Sequence, residues 1–205
     1  MCSDNTTVYA LVENISLNKY AIYKILDDTA ELYFVINTPY SNSTQLKMTS
    51  DGDGGFWIIA NVQINNTTNS ALFHVTYAGT VDYSVTSDNL QIFNSTDNFK
   101  NVIAYNPIDN ILAIVKNNIV ELYNFNNTNK TLTNIASCDT LYGVSDMTFD
   151  FAGNLYVIDN DTNKLYKYRV PTTANRTTPA QYKYRFTCTN YTTPLTYNVN
   201  KTPTK

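Results

Sequence analysis

The sequence predicts an all-β fold, a β-propeller of about four blades with four antiparallel strands each, and three observations predict it. Short strand patterns alternate with turn residues along nearly the whole chain. Apolar second strands recur at a spacing of roughly 40 to 55 residues. Long helices are disfavoured by a composition holding 29 Asn, 29 Thr and 17 Tyr. A small twisted sheet has apolar faces that it cannot bury alone, so repeated sheets stack around an axis.

The first set reads as three strands, Thr7 to Val12, Lys19 to Leu26 and Glu31 to Asn37, with turn-like separators. After a polar connection containing Pro39, a four-strand set follows: Gln45 to Thr49, Phe56 to Val62, Ala71 to Tyr77 and Tyr83 to Thr86. The next set is Phe99 to Tyr105, Ile111 to Val115, Ile119 to Phe125 and Thr131 to Ala136. The last is Val144 to Phe149, Asn154 to Ile158, Lys164 to Val170 and Tyr182 to Thr187. Aligning second strands sets Phe56 over Ile111 and over Leu155. The first set lacks a strand, and Leu195, Thr196, Tyr197, Asn198 and Val199 form a lone strand pattern at the other end. That segment either closes the first blade or is donated to a neighbouring molecule by β-augmentation. The expected division is a propeller over 1–189 and a Thr/Pro-rich tail over 190–205.

The best-preserved repeat runs from Asp146 to Val170. Its segment Phe151-Ala152-Gly153-Asn154-Leu155-Tyr156-Val157-Ile158-Asp159, followed by Asn163-Lys164-Leu165-Tyr166-Lys167-Tyr168, resembles a blade of the broad NHL and gluconolactonase-like propeller group. The resemblance implies the propeller fold. Its gluconolactonase branch implies a divalent metal held by Glu, Asn and Asp on the axis, but Glu13, Glu31 and Glu121 sit in no stretch that matches such motifs.

Charged residues are 15% of the chain and the net charge is −3, which leaves no electrostatic footprint for nucleic acid. No window of about 18 apolar residues predicts membrane insertion. The N-terminus lacks a basic segment followed by an apolar one, so any secretion signal is expected to be removed or to lie outside this chain. Cys2, Cys138 and Cys188 show no C-x-x-C spacing. Cys138 and Cys188 follow equivalent outer strands of successive blades, too far apart for a bridge if the blades are divided correctly.

Twelve Asn-x-Ser/Thr sequons begin at Asn5, Asn14, Asn42, Asn65, Asn66, Asn94, Asn126, Asn129, Asn160, Asn175, Asn190 and Asn200. Chance pairing of this Asn content with the Ser and Thr content gives about six. All fall in or beside connections or terminal segments, where a bulky glycan disturbs no ladder. The competing explanation is a chain rich in Asn and Thr whose loops gather Asn.

Candidate chemistry is sparse. Asp51-Gly52-Asp53-Gly54-Gly55 offers two carboxylates in a turn, an incomplete calcium loop and a good tight turn. Asp159 with Asp161 reads the same way, and Asp150 as a turn residue. The single histidine, His74, sits in a strand with no evident nucleophile or orienting partner. No cofactor is expected. The tyrosines serve sheet packing or a recognition face. The expectation is a non-enzymatic, heavily N-glycosylated structural or adhesion protein, extracellular or at the cell surface. It would self-associate through strand donation or blade edges as the repeating subunit of a filament or coat. The alternatives are a monomeric propeller binding a glycan or peptide and a metal-dependent lactonase-like hydrolase.

Overall fold

The computed structural model describes residues 1–3, 7–14, 19–36, 44–64, 66–86, 99–170 and 186–187. They form four antiparallel four-stranded sheets, the blades of a β-propeller, with no helix among the described residues. Blade 1 comprises β1 (Cys2–Ser3), β2 (Val8–Asn14), β3 (Lys19–Ile25) and β4 (Ala30–Ile36). Blade 2 comprises β5 (Thr44–Ser50), β6 (Phe56–Ile64), β7 (Thr67–Val75) and β8 (Val81–Thr86). Blade 3 comprises β9 (Phe99–Asn106), β10 (Ile111–Lys116), β11 (Ile119–Asn126) and β12 (Thr131–Thr140). Blade 4 comprises β13 (Val144–Phe149), β14 (Asn154–Asp159), β15 (Lys164–Arg169) and β16 (Phe186–Thr187). Within each sheet the strands lie in chain order.

The first blade differs from the expectation. Its fourth place is filled from the N-terminal side, where Cys2 pairs with Tyr9 and Ser3 with Val8. A two-residue strand is too short to show a period. The tail strand Leu195 to Val199 lies outside the described residues, as does Cys188, whose relation to Cys138 is therefore not described.

Asparagine builds the hairpins. Among the described residues, Asn66, Asn110, Asn117, Asn118 and Asn163 are five of the six non-glycine residues with positive φ, a conformation Asn tolerates better than other side chains. Asn117 and Asn118 (φ 50° and 62°) form the two-residue loop between the paired Lys116 and Ile119, which matches the twist of the flanking strands.

Three apolar clusters join consecutive blades. Tyr9, Ile22, Phe56, Ile58 and Phe73 pack between blades 1 and 2. Trp57, Leu72, Leu112, Ile114, Tyr123 and Phe125 pack between blades 2 and 3. Ile111, Ala113, Val115, Leu155, Val157 and Tyr166 pack between blades 3 and 4. The middle strands of blades 2 and 3 therefore send alternate residues to two different cores, and this is why β10 is apolar throughout. Leu112, rather than Ile111, is the counterpart of Phe56 and Leu155. These three face the preceding blade and pair with Tyr105, Ser50 and Phe149 respectively. The turn 107–110 is one residue shorter than 51–55 or 150–154, which shifts the alternation.

Candidate functional site

The polar feature with the most convergent geometry lies where blade 2 meets blade 3. Its base is the turn 51–55. The Asp51 carboxylate accepts through Oδ1 the backbone N–H groups of Asp53 and Gly55 at 2.7 and 2.8 Å, and the Asp51 N–H donates to the Gly55 carbonyl at 3.0 Å. The candidate calcium ligand thus closes the turn, and Oδ2 is left to point at β7. A Cβ at Gly55 would stand 2.4 Å from Oδ2 of Asp51 and 2.6 Å from the Val75 carbonyl oxygen, so glycine is required for the carboxylate to sit there.

His74 meets that oxygen. It lies in β7 opposite Trp57 of β6 and Tyr83 of β8. Its Nε2 is 3.0 Å from Asp51 Oδ2, and its Nδ1 is 2.6 Å from Oδ1 of Asp82 in β8. The other Asp82 oxygen accepts from Lys130 Nζ at 2.7 Å. Lys130 belongs to the turn between β11 and β12, so this bond crosses from blade 3 to blade 2. It leaves that turn at φ 53°, and its Nζ also lies 5.7 Å from the centre of the Phe125 ring. A cation–anion chain, Asp51–His74–Asp82–Lys130, therefore stitches the junction.

The chain runs along an aromatic wall. The Trp57 ring centre is 4.9 Å from that of His74 and 4.7 Å from that of Phe125, the latter edge to face. Tyr83 and Tyr105 flank Trp57 at 5.8 and 6.0 Å. Screening by water is weak here, because the side chains of His74, Asp51 and Asp82 are 11%, 13% and 24% exposed. Burial works against the imidazolium, but hydrogen bonds and charge attraction from Asp51 and Asp82 outweigh it and hold the His74 pKa above its ordinary value. For the aspartates burial pushes upward, yet His74 and two backbone N–H groups hold Asp51 low, and Lys130 with His74 holds Asp82 low. Burial pushes Tyr83 up to about 12 and raises Tyr105 further.

Both ring nitrogens of His74 are engaged by carboxylates, which suits a protonated ring acting as a clamp better than a base with a free lone pair. The sequence alone does not bring these four residues together: Asp51 and His74 are separate candidates in it, and nothing in it marks Asp82 or Lys130. The available signal was weak: one charged residue in each of two strands and two turns, all at one end of adjacent blades.

The other described candidate positions do not converge on this site. Asp150 caps its own turn, accepting the Ala152 and Asn154 backbone N–H groups at 3.0 and 2.8 Å and the Asn154 side-chain amide. Asp159 is buried and accepts from the Asp161 N–H and the Thr162 hydroxyl. These are turn duties, as expected. Among the sequon asparagines, Asn14 ends β2, Asn66 occupies the tight β6–β7 turn at φ 62°, Asn126 and Asn129 frame the β11–β12 turn, and Asn160 lies in the β14–β15 turn. Asn66, Asn126, Asn129 and Asn160 are exposed. Asn5, Asn42, Asn65, Asn94, Asn175, Asn190 and Asn200 lie outside the described residues. Of the tyrosines, Tyr9, Tyr20, Tyr105, Tyr123, Tyr166 and Tyr168 are core residues.

No family model matches this sequence, and no curated protein matches it. Solved structures do match in fold. A chain of a nidogen/laminin complex aligns over 82% of this chain and 57% of its own, at 14% identity and TM-score 0.50. Kuenenia stuttgartiensis hydrazine synthase aligns over 83% and 58%, at 14% identity and TM-score 0.55. A luciferin-regenerating enzyme aligns over 81% and 55%, at 16% identity and TM-score 0.53. This chain thus spans little more than half the length of the structures it resembles. At such identities the likeness is one of propeller fold.

Proposed function

We propose that this chain is a non-catalytic, N-glycosylated structural or adhesion protein of the cell surface or extracellular space, a unit that associates with its own kind. One observation carries the reading. Asn160 stands exposed in a turn, its hydrogen bonds to Gly143 and Asn163 run through its backbone, and it opens the sequon Asn160-Asp161-Thr162. Unlike Asn66, whose φ of 62° explains an asparagine on backbone grounds, Asn160 is not required by its turn geometry. Asn126 and Asn129 admit the same chemistry. Their Oδ1 atoms accept from Thr128 N–H and from the Thr131 hydroxyl, and a glycan on Nδ2 leaves both bonds intact.

The engagement of both His74 nitrogens supports a structural rather than a catalytic role for that cluster. We also assign blade 4 to the NHL type of repeat, on the Asp150-capped turn, the Gly153-Asn154 step with Gly153 at φ 77°, and the Lys167 ammonium 5.2 Å from the Tyr156 ring centre. Glycopeptide mass spectrometry of native material tests the glycoprotein reading. Glycans are expected at Asn160 and on the Asn126–Asn129 turn, and bare asparagine at all of these positions would refute it. Electron microscopy of the same material tests the structural role, with filaments or an ordered coat as the expected result.

A further inference from the structure

Four blades share three apolar clusters among the described residues, and the two faces left over are unequal. On blade 1 the face turned away from blade 2 carries Val8, Val12, Ile25, Leu32 and Val35, each between 37% and 51% exposed. Register places them on one side: Val8 pairs with Ile25, Val12 with Ala21, and Ala21 with Val35. The corresponding faces of blades 2, 3 and 4 are also apolar, with Phe56, Ile58, Leu112, Ile114, Leu155 and Val157 at 1% exposure or less, because each is covered by the blade before it. Blade 1 therefore has the residues of a covered face without a cover among the described residues. An exposed contiguous apolar surface of this kind marks an interaction site.

The other leftover face has the form of a cover. On blade 4, Ile158 and Leu165 are paired and exposed at 45% and 42%. Beside them Lys167 pairs with Tyr156, the register position that His74 holds opposite Trp57 in blade 2. Each of these basic groups lies over its aromatic partner, at 5.2 and 4.9 Å. Asp150 caps the adjoining turn as Asp51 does in blade 2. In blade 2 this arrangement is completed by the next blade, whose turn after the third strand sends Lys130 back to Asp82. In blade 1 the turn after the third strand carries Asp27 and Asp28, both exposed. Their charge complements Lys167 and Arg169 on blade 4.

We propose that the exposed face of blade 1 is a docking surface for a second copy of this chain, which seats the outward face of its own blade 4 there, head to tail. Two copies joined this way at both ends complete a ring of eight blades, within the range propellers occupy, while a junction that does not close propagates as a filament. The three fold neighbours fit an arc of this kind, since four blades account for only 55% to 58% of their chains. The proposal rests on the self-association part of the functional reading and is independent of glycosylation, so bare sequons would leave it standing.

Sedimentation velocity on the full 205-residue chain, from low to high micromolar concentration, tests it. Two double variants separate the faces: Val12→Lys with Leu32→Lys on blade 1, and Ile158→Lys with Leu165→Lys on blade 4. All four positions are exposed, and a thermal melt verifies that each variant is folded. The wild-type chain is expected to associate to dimers or longer species, and each variant alone to associate at least tenfold more weakly. Mixing the two variants should restore dimers, because one junction of the pair then joins two unaltered faces. A wild-type chain that stays monomeric overturns the proposal, as the chain covering its own face would produce. Association that survives both double variants, as strand donation would give, overturns it too. So does a mixture that fails to recover, which would indicate like faces meeting like.

Discussion

Replacing His74 by Gln tests whether the stitch between blades 2 and 3 works as a protonated clamp. Gln is close to isosteric with imidazole and donates from one amide nitrogen, so it can hold one carboxylate but not both. The wild-type ring holds Asp82 at 2.6 Å and Asp51 at 3.0 Å, with both carboxylates mostly buried. A hydrogen bond to a charged group contributes about 1.5–3 kcal/mol, and leaving a buried charge unpaired adds to that loss. The variant should therefore be less stable by about 3 kcal/mol where the ring is charged. The Lys130 side chain is 38% exposed, so its bond to Asp82 adds only about 0.2–1 kcal/mol and cannot substitute.

The pH dependence follows from the direction of each shift. The folded pKa of His74 lies above the ordinary value of 6.5, so its contribution is fully present below pH 6.5 and is lost as pH rises through the folded value. The folded pKa values of Asp51 and Asp82 lie below 3.8, so theirs is present above that pH and is lost as pH falls through the lowered values. Tyr83 and Tyr105, raised by burial to about 12 and higher, stay neutral between these limits. Urea unfolding of both proteins across a pH series from about 5.5 upward provides the assay. The difference should be about 3 kcal/mol at about pH 5.5 and shrink as pH rises through the folded pKa of His74, beyond which a neutral ring donates to a single carboxylate. A difference that stays the same after pH has risen through the folded pKa of His74 would show that His74 acts by packing on Trp57 and not by charge.

Gly55→Ala should destabilise by about 1–3 kcal/mol, because its Cβ meets a backbone carbonyl that cannot move aside, and the denaturant midpoint reads this directly. Trp57→Ala removes the side chain on which four aromatic neighbours converge, and a loss of about 3–5 kcal/mol in the same assay is expected. The sequon asparagines should separate by duty. Asn66→Ala costs about 1–2 kcal/mol through its left-handed backbone whether or not a glycan is present, whereas Asn160→Gln leaves unfolding within about 0.5 kcal/mol and removes one glycan from the native mass.

What the sequence made legible was whatever local chemistry decides. Strands β6 and β10 show as apolar runs because each feeds two cores, β14 shows as one because Leu155 and Val157 enter a core while Tyr156 and Ile158 lie on its outer face, and the turns show because Gly153, Asn117 and Asn118 adopt conformations that other residues resist. Three things depended on partners distant in the chain and stayed hidden. The strand Cys2–Ser3 exists only through its pairing with Val8 and Tyr9. The one-residue offset of Leu112 comes from a shortened turn, and pairing alone reveals which face a residue takes. The chain Asp51–His74–Asp82–Lys130 needs blade 3 to be stacked on blade 2 before Lys130 can reach Asp82. The same dependence explains why blade 1 reads as an ordinary repeat: its alternation specifies a face fit for burial as clearly as that of blade 2, while the identity of the cover is carried by the chemistry of whichever blade docks there. Val12 and Leu32 are thus core residues by pattern and surface residues by circumstance, and the Lys167–Tyr156 pair is an inter-blade stitch awaiting its second half.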